Sequence, residues 1–193
     1  MNEQTTPQTK LTTVFIFILL LALLASVGVF VYFSNVSRPI TTVILVRHAE
    51  KKTEPNNPDP DLTPEGEERA KLLGHMFSGS GVNTILATQF KRTQETAKPL
   101  SDATGIPITL TDAKQPEEIV KRLQSEYRGQ TVFVAGHNNT VPAIVSALSG
   151  QSFPNIPESE YDNLFIVTFY RSGKAKVVKL KYGSESNQGR GSG

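Results

Sequence analysis

A continuous apolar and largely β-branched run, Val43-Ile44-Leu45-Val46, stops abruptly at the pair Arg47-His48. A strand with no polar alternation is buried on both faces, as the strands of parallel sheets are. Ligands of open α/β sheets bind at the carboxyl ends of such strands, and that is where Arg47 and His48 fall. The arrangement recurs: Val132-Phe133-Val134-Ala135-Gly136 is followed at once by His137. The chain has three histidines, and two of them stand just past an expected core strand. The third, His75, sits inside an expected helix and reads as a surface or boundary residue.

Between and after these runs the pattern switches regularly. Leu62-Thr63-Pro64-Glu65-Gly66 is a helix start, with Thr63 as N-cap, Pro64 in the first helical position and Glu65 favourable to the dipole. Ala70, Leu73 and Phe77 then recur at helical spacing, widened by Leu72 and Met76. Asn83 to Ala87 reads as a second strand and Thr88 to Leu100 as a helix, which places Arg92 in or near its first turn. An arginine there opposes the helix dipole unless an anion is present. Ile106 to Leu110 is a third strand, ending in Thr111-Asp112. Pro116 to Tyr127 is a helix, the His137 strand comes next, and a helix from Val141 to Leu148 follows. Asn163 to Tyr170, a turn at Arg171 to Lys174, and Ala175 to Tyr182 alternate as a hairpin. Strand and helix thus alternate four times before two antiparallel strands. This predicts an α/β fold, a mostly parallel sheet flanked by helices with a C-terminal antiparallel hairpin. The Pro-, Asn- and Asp-rich stretch from Lys52 to Asp61 must be loop, and it should rim any site at the first strand end.

Ahead of this domain the chain changes character. Residues 1–10 are a polar tail expected to be disordered. Leu11 to Phe33 carries no charge, and as a helix it spans the roughly 30 Å hydrocarbon layer. A cleaved signal peptide has a shorter apolar region, of about 7–15 residues. Here the run continues past Ala25-Ser26, the one plausible cleavage point, through Val27 to Phe33. One uncleaved transmembrane helix over 11–33 is therefore expected, followed by a linker at 34–40, the soluble domain at 41–182 and a disordered Gly/Ser-rich tail at 183–193. The short, weakly basic leader resembles a signal anchor that exports the domain behind it, so a single-pass membrane protein with an extracytoplasmic domain is expected. The net charge of +2 is too small to argue for nucleic acid. The absence of cysteine excludes disulfides, zinc thiolate sites and cysteine nucleophiles.

The topology gathers Arg47, His48, Arg92, His137 and, at the third strand end, Asp112 along one sheet edge. Two arginines and two histidines without a carboxylate cluster suit an anion and not a divalent metal. Phosphate is the common small anion that calls for several planar donors.

Arg47-His48-Ala49-Glu50 resembles the Arg-His-Gly signature of the histidine phosphatase superfamily, also called phosphoglycerate mutase-like, with alanine replacing glycine. Leu62 to Gly66, Ala87-Thr88 with Arg92 to Ala97, and Ala135 to Asn139 resemble three further landmarks of that family, in the same order across the soluble domain. The resemblance implies a phosphatase in which His48 attacks phosphorus and forms a phosphohistidine that water hydrolyses. It implies that Arg47, Arg92 and His137 hold the equatorial oxygens, with no metal or organic cofactor. The family's proton donor follows the third strand in a Leu-x-Glu pattern, matched here by Leu110-Thr111-Asp112 with the shorter acid, while Glu50 is the rival. The expected partners are a phosphorylated small molecule or phosphoprotein, and the lipid bilayer through residues 11–33. Two other readings stand beside hydrolysis: a membrane-tethered phosphate-binding or scaffold module with little turnover, and a phosphomutase. Only Thr111 to Gln115 separates the third strand from its helix, a compact arrangement that favours hydrolysis.

Overall fold

The computed structural model describes residues 7–36, 40–170 and 175–186. The chain divides into two compact units, Met1–Arg38 and Pro39–Gly193. The first contains one helix, α1 (Pro7–Val36). Its apolar stretch Leu11–Tyr32, 22 residues, is long and apolar enough to cross a membrane by length and composition. The helix takes in residues 7–10 and 34–36, expected from sequence to be tail and linker. No breaker interrupts the chain there, and extending an existing helix is far easier than starting one. The rest of the expected tail and linker, 1–6 and 37–39, lies outside the described residues.

The second unit is built on β1 (Thr41–Arg47). Sheet order is β3-β2-β4-β1-β5-β6, with β2 (Thr84–Thr88), β3 (Ile108–Thr111), β4 (Thr131–Gly136), β5 (Asn163–Phe169) and β6 (Ala175–Lys181). The first four strands in that order run parallel, and β5 and β6 join antiparallel. This is the expected mixed sheet with its C-terminal hairpin. The hairpin turn, residues 171–174, lies outside the described residues.

Strand periodicity divides β1 between two cores. Val43 and Leu45 join Val132 and Val134 beneath α4 (Pro116–Ser125) and α5 (Thr140–Ser149). Ile44 and Val46 join Phe133 and Ala135 beneath α2 (Pro64–Phe77) and α3 (Lys91–Thr104). Covering both faces is what the unbroken apolar run demanded.

Several boundaries differ from those expected, by one or two residues at most strands and by more elsewhere: β3, expected over Ile106 to Leu110, runs over Ile108–Thr111. Helix α3, expected over Thr88 to Leu100, begins at Lys91 and continues through Pro99 to Thr104, where Gly105 closes it at φ 73°. Its start is set from outside, since the Asp59 carboxylate accepts the Lys91 N–H, a cap that local sequence could not show. Helix α4, expected over Pro116 to Tyr127, ends at Ser125. The tail, expected to be disordered from Gly183, is held at its first residues: Arg69 donates to the Ser184 carbonyl, and the Ser186 hydroxyl accepts from the Tyr161 and Asp162 N–H groups. Residues 187–193 lie outside the described residues.

The start of α2 is seated directly on the strand-end loop. Thr63 caps it as expected, accepting from Gly66 N. A Cβ on Gly66 would lie 2.2 Å from the Glu50 carbonyl oxygen, so backbone must move to admit one. Gly66→Ala is therefore expected to destabilise the chain by about 1–3 kcal/mol, seen as a lowered thermal unfolding midpoint. An unchanged midpoint would show that this contact relaxes freely.

Candidate active site

β1 and β4 pair in parallel with Arg47 opposite Gly136, and the ladder extends one step as His48 N donates to the Gly136 carbonyl. The two histidines therefore emerge side by side, with ring centroids 5.6 Å apart. β2 lies on the other side of β4, so its last residue, Thr88, reaches His137, and α3 starts there with Arg92 in its first turn. Arg47, His48, Arg92 and His137 are thus brought together at three adjacent strand ends.

His48 is buried, and its Nδ1 lies 2.8 Å from the Ala49 carbonyl. A carbonyl oxygen can only accept, so Nδ1 carries the proton and the lone pair sits on Nε2. Burial lowers the pKa of His48 to about 3, and the charges of Arg47, His137 and Arg92 act in the same sense, against the opposing Ala49 bond. His137 is lowered to about 4 by burial and by the charges of Arg92 and Arg47. At neutral pH both rings are uncharged. Thr88 Oγ1 lies 3.0 Å from His137 Nε2 and 2.8 Å from Thr93 Oγ1, a hydroxyl relay that fixes the ring. Phe90 meets the same ring edge-on at 5.4 Å.

Arg47 is 1% exposed. Its Nη1 donates to the carbonyls of Pro157, Glu158 and Glu160, and Nη2 donates to the Glu158 carboxylate. The guanidinium also stacks over the Tyr161 ring at 4.2 Å. Arg92 lies over Phe90 at 4.2 Å and pairs with Asp59 at 3.6 Å, which makes the Lys52–Asp61 loop part of the site rim as expected. The Nε atoms of both arginines are buried without a hydrogen-bond partner. Two buried, unsatisfied cationic donors beside two neutral imidazoles form a cradle for an anion. Among the described residues, no three His, Cys, Asp or Glu side chains gather as a metal site.

The two carboxylates expected as proton donors stand elsewhere. Glu50 accepts three hydrogen bonds from Arg69, which in turn donates to the Tyr182 and Ser184 carbonyls. It is a strut between the strand-end loop, α2 and the chain after β6. Asp112 follows the edge strand β3, roughly 14 Å from β1 across three strand spacings, and its carboxylate accepts from Lys114 N and the Gln115 amide. None of these bonds reaches the histidine pair. Sequence reasoning did not single out Glu158 or Tyr161 as parts of the site. Glu158 and Tyr161 come from the segment between α5 and β5, whose polar composition is that of any loop.

Comparison with known proteins bears on this arrangement. Residues 43–115 match the family model described as "Histidine phosphatase superfamily (branch 1)". Phosphoserine phosphatase 1 of Hydrogenobacter thermophilus is 35% identical over 75 residues, 36% of either chain, so this chain matches about a third of the length of that curated relative. The structure of the protein histidine phosphatase SixA complexed with tungstate superposes with a TM-score of 0.61 at 20% identity, covering 72% of this chain and 96% of that one. Mycobacterial glucosyl-3-phosphoglycerate phosphatase gives 0.61 at 10% identity, covering 75% and 100%. At such identities the solved structures establish the common fold, while the family match runs from the β1 core through Arg47, His48 and Arg92. Over residues 43–115 the chain matches the histidine phosphatase superfamily, and its fold is the one these solved structures share.

Proposed function

We propose that this protein is a membrane-anchored phosphatase that hydrolyses phosphomonoesters, or a phosphohistidine on a partner protein, through a phosphohistidine intermediate. The observation that carries the reading is His48 itself: a buried neutral imidazole, its proton tied to Ala49 O, its Nε2 lone pair beside two arginines with unsatisfied donors. Nε2 attacks phosphorus in line as the bond to the leaving oxygen breaks, and water then attacks the phosphohistidine to release phosphate and restore the imidazole. Arg47 and Arg92 hold equatorial oxygens. His137, held at its Nε2 by Thr88, joins them. Asp112 is the carboxylate left for protonation of the leaving oxygen, because Glu50 is committed to Arg69, and in this reading the segment after β3 must bring it in from the edge of the sheet and out of its local bonds. The local bonding of Asp112 favours a second reading, a phosphate-binding module with little turnover, which binds phosphate without releasing it from esters. Residues 11–33 form the membrane anchor in this proposal, with the catalytic domain extracytoplasmic.

His48→Ala is expected to abolish turnover with every ester, and rapid acid-free quenching of the parent should trap phosphate on His48. In the same assay Asp112→Asn should slow an alkyl phosphate by about 10²–10⁴-fold and a nitrophenyl ester far less, because nitrophenolate leaves without a proton. Equal losses on both would make Asp112 structural, and an active His48→Ala would sink the mechanism.

Folding lowers His48 from 6.5 to about 3 and His137 to about 4, so the unfolded chain binds more protons between those values. Stability must therefore rise with pH across that window and be lost as pH falls from about 6.5. His48→Asn, which keeps a donor for Ala49 O, should reduce the loss by on the order of 3 kcal/mol at pH 4. Parallel stability curves for parent and variant would contradict a neutral buried His48.

The full chain should sediment with membranes and resist a carbonate wash, with its amino terminus ahead of Leu11. A mature terminus at Val27 would identify a cleaved signal instead.

A further inference from the structure

Arg47 presents its donors unequally. Nη1 is given wholly to backbone, at 2.9 Å to Pro157 O, 2.8 Å to Glu158 O and 3.0 Å to Glu160 O. The remaining edge, Nε with Nη2, is the fork that engages two anion oxygens at once. Nη2 donates to Glu158 Oε2 at 2.6 Å, while Nε is buried without a partner. Glu158 Oε1 accepts from Asn138 Nδ2 at 2.9 Å. The ion pair joins a 1% exposed arginine side chain to a 76% exposed glutamate side chain. A surface carboxylate therefore fills half of a buried fork, and the three carbonyls prevent the guanidinium from turning another edge to a ligand.

Resting on the reading of Arg47 as a phosphate ligand, we propose that Glu158 is the resident counter-anion of this fork and a specificity-determining residue of the site. Substrate binds by displacing the Glu158 carboxylate from Nη2 and from Asn138, and the side chain returns to solvent that already covers most of it. The competition selects by charge and shape. A phosphomonoester dianion covers both fork donors, satisfies the buried Nε, and adds an attraction to Arg92, whose own Nε is also unsatisfied. A phosphodiester brings one charge, no more than the carboxylate it must evict, and pays the same desolvation. Glu158 thereby excludes singly charged phosphates that the two arginines alone would accept.

Equilibrium binding of inorganic phosphate and of dimethyl phosphate to the detergent-solubilised full chain, by calorimetry, tests this without requiring turnover. The parent should bind phosphate and show no measurable affinity for dimethyl phosphate. Glu158→Gln replaces a charge-assisted bond by a neutral one, so phosphate should bind about tenfold more tightly and dimethyl phosphate should become measurable. Glu158→Asp, which keeps the charge on a shorter stem, should fall between the two. Unchanged or weaker phosphate binding in Glu158→Gln would overturn the proposal, as would selective loss of alkyl phosphate turnover without tighter binding, which would make Glu158 the proton donor. Phosphate binding that follows this order in a chain without esterase activity would leave the counter-anion standing and remove the phosphatase reading. Absence of phosphate binding in all three proteins would remove both.

Discussion

Arg47 is a permanent cation placed where almost no water reaches it. Burying an unpaired guanidinium is prohibitive, so its surroundings must supply compensation. They do so from a segment more than a hundred residues away: the Pro157, Glu158 and Glu160 carbonyls converge on Nη1, and the guanidinium carbon lies 4.2 Å from the centre of the Tyr161 ring. This one requirement shapes the chain between α5 and β5. It draws that segment over the end of β1, brings Tyr161 to within 6.0 Å of the His48 ring centroid, and positions Glu158 at the mouth of the cradle.

The same burial sets the chemistry of the histidines. Each imidazole is held neutral by loss of water and by the neighbouring arginine charges. The arginines are held in turn by a carboxylate each, Glu158 on Arg47 and Asp59 on Arg92. The Nε donors of both remain unsatisfied because each of these carboxylates engages a terminal nitrogen only. Each arginine therefore keeps one buried donor that the chain itself does not satisfy.

Glu50 and Asp112 illustrate how similar sequence contexts diverge. Both follow a strand closely, and both suited a proton donor. Glu50 met Arg69, whose guanidinium also ties the Tyr182 and Ser184 carbonyls, and it became part of the frame. Asp112 met its own following residues and forms a local turn.

The parts of this protein legible in the sequence are those fixed by short-range pattern. An unbroken apolar run must be a doubly covered strand, so β1 and β4 could be read along with the residues at their ends. Their parallel pairing follows from the intervening helices, and that pairing places His48 beside His137. Thr63 as a cap, Arg92 in the first turn of α3 and the length of the apolar stretch in α1 follow from equally local rules. What only tertiary structure decided are features that depend on groups remote in sequence. Asp59 caps α3 from 32 residues away, the 157–161 segment closes over Arg47, and Ser184 and Ser186 are pinned by Arg69, Tyr161 and Asp162. None has a periodic signature, because a hydrogen bond satisfies a buried donor equally well whether its acceptor lies four residues away or a hundred.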